Sequence, residues 1–165
     1  MNIDTDLVRK LIDSQFPEWS NLPISPVSRS GWDNRTFRLG GELLVRMPSA
    51  ESYSSQVHKE QQWLPFLGES LSVLIPKVQA FGNPGHGYPW SWSVYGWIDG
   101  EDVESSANID AIKLANSVAQ FVGELHKVTP SGGPSPGLHN YFGGAALSKY
   151  DKDTRTYLDL SLIHI

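Results

Sequence analysis

Cysteine is absent from the 165 residues, so neither a disulfide framework nor a thiolate metal site can hold this chain together. No apolar run approaches the roughly 20 residues that span a bilayer as a helix. The opening residues, MNIDTDLVRK, lack the apolar stretch of an export signal. Positive charge is also scarce: 13 Lys and Arg against 18 Asp and Glu leave a net charge of −5. That balance argues against a broad footprint on nucleic acid or on an anionic membrane. These absences together lead us to expect a cytoplasmic protein with neither nucleic acid nor membrane as partner. His126, His139 and His164 lack metal-ligand spacing and are expected at surface or capping positions.

What is present is enough chain for one domain with a core, or for two small lobes sharing an interface. Residues 5–16 keep helical spacing at Leu7, Val8, Leu11, Ile12 and Phe16, with Asp4 or Thr5 available as a cap. Residues 24–30, 36–39 and 43–47 then alternate with the turns GWDN and GG, as in an antiparallel meander. A second helix is expected over residues 51–64, stopped or kinked by Pro65, with Gly68 as a possible end. Strands are expected over 71–81 and 90–97. In the latter, Trp90, Trp92 and Val94 alternate with Ser91, Ser93 and Tyr95, the period-two pattern of a half-buried strand. An acidic connector over 98–106 leads to a long amphipathic helix over 109–128. TPSGGPSPG then reads as irregular backbone.

Two charges stand out against this pattern. At about 100° per residue, Tyr53, Val57, Leu64 and Leu67 share one stripe of the second helix, and Glu60 falls in the middle of it. A carboxylate aimed at a core requires a cation opposite, since burying an unpaired charge costs several kcal/mol or forces protonation. Arg46, ending the strand of Leu43, Leu44 and Val45, is the nearest candidate in sequence. The turn SGWDN offers small and polar residues where backbone N–H groups can face an anion, although most such turns are simple hairpins.

The order strand, polar turn, strand, strand ending in a cation, helix with an inward Glu, strand, aromatic strand, acidic connector, long helix resembles the N-lobe of the protein-kinase-like fold. The segments SGWDNRTFRLGGELLVRMPS, QVHKEQQWLP, GYPWSWSVYGWIDGE and PGLHNYFGGAALSKYD resemble the aminoglycoside phosphotransferase family, relatives of choline kinases. The resemblance implies an α+β fold: a kinase-like N-lobe, an antiparallel sheet plus helix, over residues 1–98, then a linker and the incomplete start of a helical C-lobe over 99–158. It implies ATP or GTP as phosphoryl donor, Mg²⁺, and a small-molecule hydroxyl as acceptor. Ser30, Gly31 and Asn34 would lie in the loop over the nucleotide phosphates. Arg46 matches the strand cation on the α- and β-phosphates, where relatives often carry Lys, and Glu60 the carboxylate that orients it. Tyr95, Gly96 and Trp97 match the hinge whose backbone meets the purine. The family's catalytic Asp and its metal ligands belong to a segment expected beyond residue 165, so the chain as given is expected to be inactive. Its last residues, DLSLIHI, resemble translated adapter sequence, and 159–165 is expected to be a non-native tail.

Alternatives remain at this level. The chain can be read as a nucleotide-binding pseudokinase. It can also be read as a carbohydrate-binding module whose Trp90, Trp92, Tyr95 and Trp97 stack on sugar rings, a reading that requires those rings to be exposed. Asp102, Glu104 and Asp110 form either a solvated connector or an approach for a polycationic sugar.

Overall fold

A computed structural model describes residues 2–28, 31–104, 106, 109–129 and 131–162, without the side chains of His139 and Leu162. The chain divides into two compact units, Met1–Val128 and Thr129–Ile165.

The first unit opens with α1 (Thr5–Gln15), capped as expected by Asp4, whose carboxylate accepts from the Leu7 N–H at 3.0 Å. Five antiparallel strands follow: β1 (Ile24–Pro26), β2 (Asn34–Leu39), β3 (Leu43–Pro48), β4 (Val78–Gly82) and β5 (Trp92–Gly96), in the spatial order β1-β2-β3-β5-β4. Between β3 and β4 runs α2 (Glu51–Ser70), and after β5 comes α3 (Ala111–Leu125). The register sets Phe37 beside Val45 and Val45 beside Val94, and on the next row Thr36 beside Arg46 and Arg46 beside Ser93. Because strand side chains alternate faces, the first row joins α1 in the core. Val8, Leu11 and Ile12 of α1 pack there with Phe37, Leu39, Val45, Met47, Tyr88, Trp92 and Val94. The second row belongs to the opposite face, which α2 covers.

Four expectations are corrected by this arrangement. The strand around Trp92 is not half-buried: Trp92, Ser93, Val94 and Tyr95 are all buried, because β5 lies between β3 and β4 with a helix on each face. Helix α2 does not end before Pro65 but continues to Ser70. Pro65 sits on the exposed side of the helix, where water can satisfy the Gln61 carbonyl that loses its intrahelical donor. Residues 71–77 are irregular, and the strand expected from 71 begins at Val78. β1 likewise stops at Pro26, short of the expected residue 30.

The second unit holds two short 3-10 turns, Leu138–Asn140 and Leu147–Tyr150, and α4 (Asp151–Leu162). Among the described residues no helix is long and apolar enough to cross a membrane.

Candidate functional site

The face of the sheet under α2 is polar where the opposite face is apolar. Arg46 leaves β3 toward α2, and its Nη1 meets Glu60 Oε1 at 2.8 Å. Both side chains are partly exposed, 36 % for Arg46 and 24 % for Glu60, so the pair meets solvent rather than lying in a dry core. Asn34, at the start of β2 and buried, supplies the second anchor. In the amide orientation that satisfies both groups, its oxygen accepts from Arg46 Nη2 at 3.0 Å and from Nε at 3.2 Å. On the other side of Glu60, the Tyr95 hydroxyl donates to Oε2 at 2.5 Å. Burial, and after it the bond to Glu60, pushes the Tyr95 hydroxyl pKa well above its ordinary value, so it remains a protonated donor.

Helix α2 is fixed over these strands by the next residue. Gln61 Nε2 donates to the Ala80 carbonyl at 3.1 Å and to Ser93 Oγ at 2.9 Å, bridging β4 and β5. A guanidinium carries five N–H bonds. Glu60 and Asn34 engage three of them, which leaves one on each Nη beyond these contacts, and a guanidinium binds phosphate or carboxylate through two such N–H groups.

The polar turn before β2 is tied down from below. Ser49 Oγ donates to the Trp32 carbonyl at 2.7 Å, the Ser49 N–H to the Asp33 carbonyl at 2.9 Å, and Arg35 Nη1 to the Gly31 carbonyl at 3.2 Å. Gly31 is exposed and Trp32 projects almost wholly into solvent. Ser30, expected in this loop, lies outside the described residues.

At the far end of β5, the Gly96 N–H donates to the Lys77 carbonyl at 2.8 Å and the Trp97 N–H to the Glu42 carbonyl at 2.7 Å. Both amides, expected from sequence to face a purine, are thus engaged by neighbouring carbonyls. The Arg38 guanidinium lies 3.9 Å from the centre of the Trp97 ring, and Trp97 Nε1 donates to Asp99 at 2.8 Å. Together these contacts fasten the β2–β3 turn to the segment leaving β5. Sequence reading paired Arg46 with Glu60, but it put Asn34 in the polar loop, whereas Asn34 is buried at the start of β2 and bonded to Arg46, and it missed the side-chain contacts of Tyr95, Gln61 and Ser93. A phenol in an aromatic strand reads as core, and nothing in its spacing announces a bond to the helix.

Asp110 of the acidic connector is the cap of α3, accepting from the N–H groups of Ile112 and Lys113 at 3.1 Å each. Among the described residues no group of three or more His, Asp or Glu side chains converges as a metal site. Trp92 and Tyr95 are buried, so β5 offers no platform for stacking on sugars.

The face of the sheet under α2 thus carries an inward cation held by a helix carboxylate and a buried amide. The model of the phosphotransferase enzyme family matches residues 24–162, and the chain belongs to that family. Among solved structures, the GDP complex of wild-type aminoglycoside 2′-phosphotransferase-IIIa superposes with a TM-score of 0.73 at 23 % identity, over 96 % of this chain and 57 % of that one. The GDP and kanamycin complex of APH(2″)-IIIa gives a TM-score of 0.70 at 23 % identity, over 93 % of this chain and 57 % of that one. ADP-bound APH(2″)-Ib gives 0.59 at 22 % identity, over 93 % and 48 %. The fold is therefore the kinase-like α+β fold of these enzymes, and the chain spans little more than half their length. No curated protein matches it by sequence.

Proposed function

We propose that this chain is the nucleotide-binding part of a small-molecule kinase that transfers the γ-phosphoryl of ATP or GTP to a hydroxyl of an aminoglycoside-like acceptor. The observation that carries this reading is the Arg46 fork. Glu60 and Asn34 hold it through three N–H bonds, and the one left on each Nη would suffice to grip a phosphate bidentately.

In the transfer, an acceptor oxygen forms a bond to the γ-phosphorus as the bond from that phosphorus to the β–γ bridging oxygen breaks. The hydroxyl proton goes to a base, and the nucleoside diphosphate leaves. Catalysis of this step is mostly positioning and charge stabilisation. Arg46 would hold the α- and β-phosphates, and the turn of Ser30 and Gly31 would lie over them. Because the Gly96 and Trp97 amides already serve the sheet, the purine edge would meet the Gly96 carbonyl and the first amide beyond, that of Ile98. Mg²⁺ would reach the site with the nucleotide and offset the charge of its phosphates. The general base and the acceptor pocket are likewise not assigned to this chain, which is expected to bind nucleotide weakly and to transfer no phosphate by itself.

Calorimetric titration of the chain with Mg-ATP and Mg-GTP, beside Arg46→Ala, tests the reading. Loss of a charge-assisted, two-point phosphate contact should weaken binding about tenfold or more. Equal affinities in the two proteins would remove Arg46 from its role.

A further inference from the structure

The bonds around Arg46 do not end at Glu60. Tyr95 is 2 % exposed in the central strand β5, with Leu44 as its partner across the ladder, so its ring has no freedom to swing. Its hydroxyl bonds Glu60 Oε2 while Glu60 Oε1 bonds Arg46. Beside it on the same face of β5, the Ser93 hydroxyl accepts from Gln61 Nε2 at 2.9 Å. A continuous chain of hydrogen bonds therefore runs from Tyr95 through Glu60 and Arg46 to Asn34, crossing β5, α2, β3 and β2, and the Gln61–Ser93 bond fastens α2 to β5 beside it. Glu60 has several rotatable bonds and is partly exposed, so Arg46 alone would leave its second oxygen to water and its rotamer unfixed.

We propose that Tyr95 is a positioning residue: its hydroxyl locks the Glu60 carboxylate, and through it the Arg46 fork, before any ligand arrives. The Arg46–Glu60 pair is then a preset part of the sheet rather than a contact that forms when α2 swings inward. An outward swing of α2 would have to break the bonds of Glu60 and Gln61 together. The consequence for nucleotide binding rests on the function proposed above, whereas the locked geometry belongs to the ligand-free chain and can be measured without nucleotide.

The test is NMR of the side chains in the 165-residue protein, with the Arg46 guanidinium signals assigned by Arg46→Lys. In the unaltered chain the two Nη groups of Arg46 should be distinct, and the Tyr95 hydroxyl proton should exchange slowly enough to be observed. In Tyr95→Phe, which keeps the ring, rotation of the Arg46 guanidinium should accelerate about tenfold, the scale of one hydrogen bond to a charged group. Unchanged Arg46 dynamics in Tyr95→Phe would overturn the proposal, as would a rapidly exchanging Tyr95 hydroxyl in the unaltered chain, a readout that survives even if the variant fails to fold. A parallel titration with Mg-GTP and Mg-ATP separates the two readings. About tenfold weaker binding by Tyr95→Phe supports both. A chain that binds neither nucleotide, yet shows the change in Arg46, keeps the lock and removes the proposed function.

Discussion

Gly82 ends β4 directly against the six-membered ring of Trp92, where a Cβ would overlap the ring carbons. The indole has no room to retreat. It is completely buried, Phe16 meets it edge-on at 5.6 Å, and its Nε1 donates to the Asn83 carbonyl at 3.0 Å. Gly82→Ala should therefore overpack the core and destabilise the fold by about 1–3 kcal/mol. A melt followed by circular dichroism should show the midpoint falling by several degrees, and an unshifted midpoint would mean that the sheet yields there. Gly96 differs: its nearest neighbour is the flexible Gln79 amide at 3.6 Å, and Gly96→Ala should leave the midpoint nearly unchanged. Neither outcome is legible in the sequence, where both glycines close aromatic strands. Arg46 and Glu60 were legible because each breaks a hydrophobic pattern, and a charge placed among apolar neighbours demands a partner. Tyr95 breaks no pattern, so its hydroxyl stayed hidden.

The elements were readable in kind, and their ends much less so. Amphipathic spacing marked α1 and α3, and turn residues marked the meander, but burial on both faces of β5 depends on which strands and helices flank it, which no local period encodes. Pro65 misled for a related reason, since a proline ends a helix only where its lost hydrogen bond is not replaced. Pro65→Ala restores a donor in mid-helix and should stabilise the chain by about 1–3 kcal/mol. A chemical denaturation series would register this as a higher midpoint. The far end of α2 is joined to α3 by one carboxylate: Glu124 accepts from the Ser72 N–H at 2.8 Å, from the Ser72 hydroxyl at 2.7 Å and from Gln120 at 2.9 Å. These bonds, the Ser72 backbone N–H foremost, hold the Glu124 pKa below its ordinary value of 4.5. A lowered carboxylate pKa contributes stability that is present above the unfolded value and is lost as pH falls through the folded one. Hydrogen exchange at the Ser72 amide should accordingly speed up as pH drops below 4.5 in the unaltered chain, beyond the intrinsic trend. Glu124→Gln should show weaker protection at neutral pH and no such transition, and an unaltered chain without the transition would discount the tether.

On the scale of the molecule, what distinguishes α3 is that its apolar stripe has little over it. Ile112 is 75 % and Val118 52 % exposed, and Leu114, Val122 and Leu125 are exposed as well. Around Ala115, Val118, Ala119 and Val122 the surface forms a shallow apolar trough. An amphipathic helix is stabilised chiefly by burying such a stripe, so α3 keeps its shape here through the Asp110 cap and the Glu124 contacts more than through packing. Contiguous exposed apolar surface of this kind drives association in water, because covering it releases the hydrophobic free energy that folding has left uncollected. The chain should therefore bind a dye such as ANS and sediment as oligomers whose share rises with concentration. Val118→Lys places a charge in the middle of the stripe without touching the sheet, the Arg46 cluster or the Asp110 cap. It should lower dye binding and shift sedimentation toward the monomer while leaving the thermal midpoint within a few degrees. Sedimentation velocity across a tenfold concentration range decides the matter: a unaltered chain that stays monomeric throughout, or a Val118→Lys chain that associates just as strongly, would show that the stripe is not what drives association.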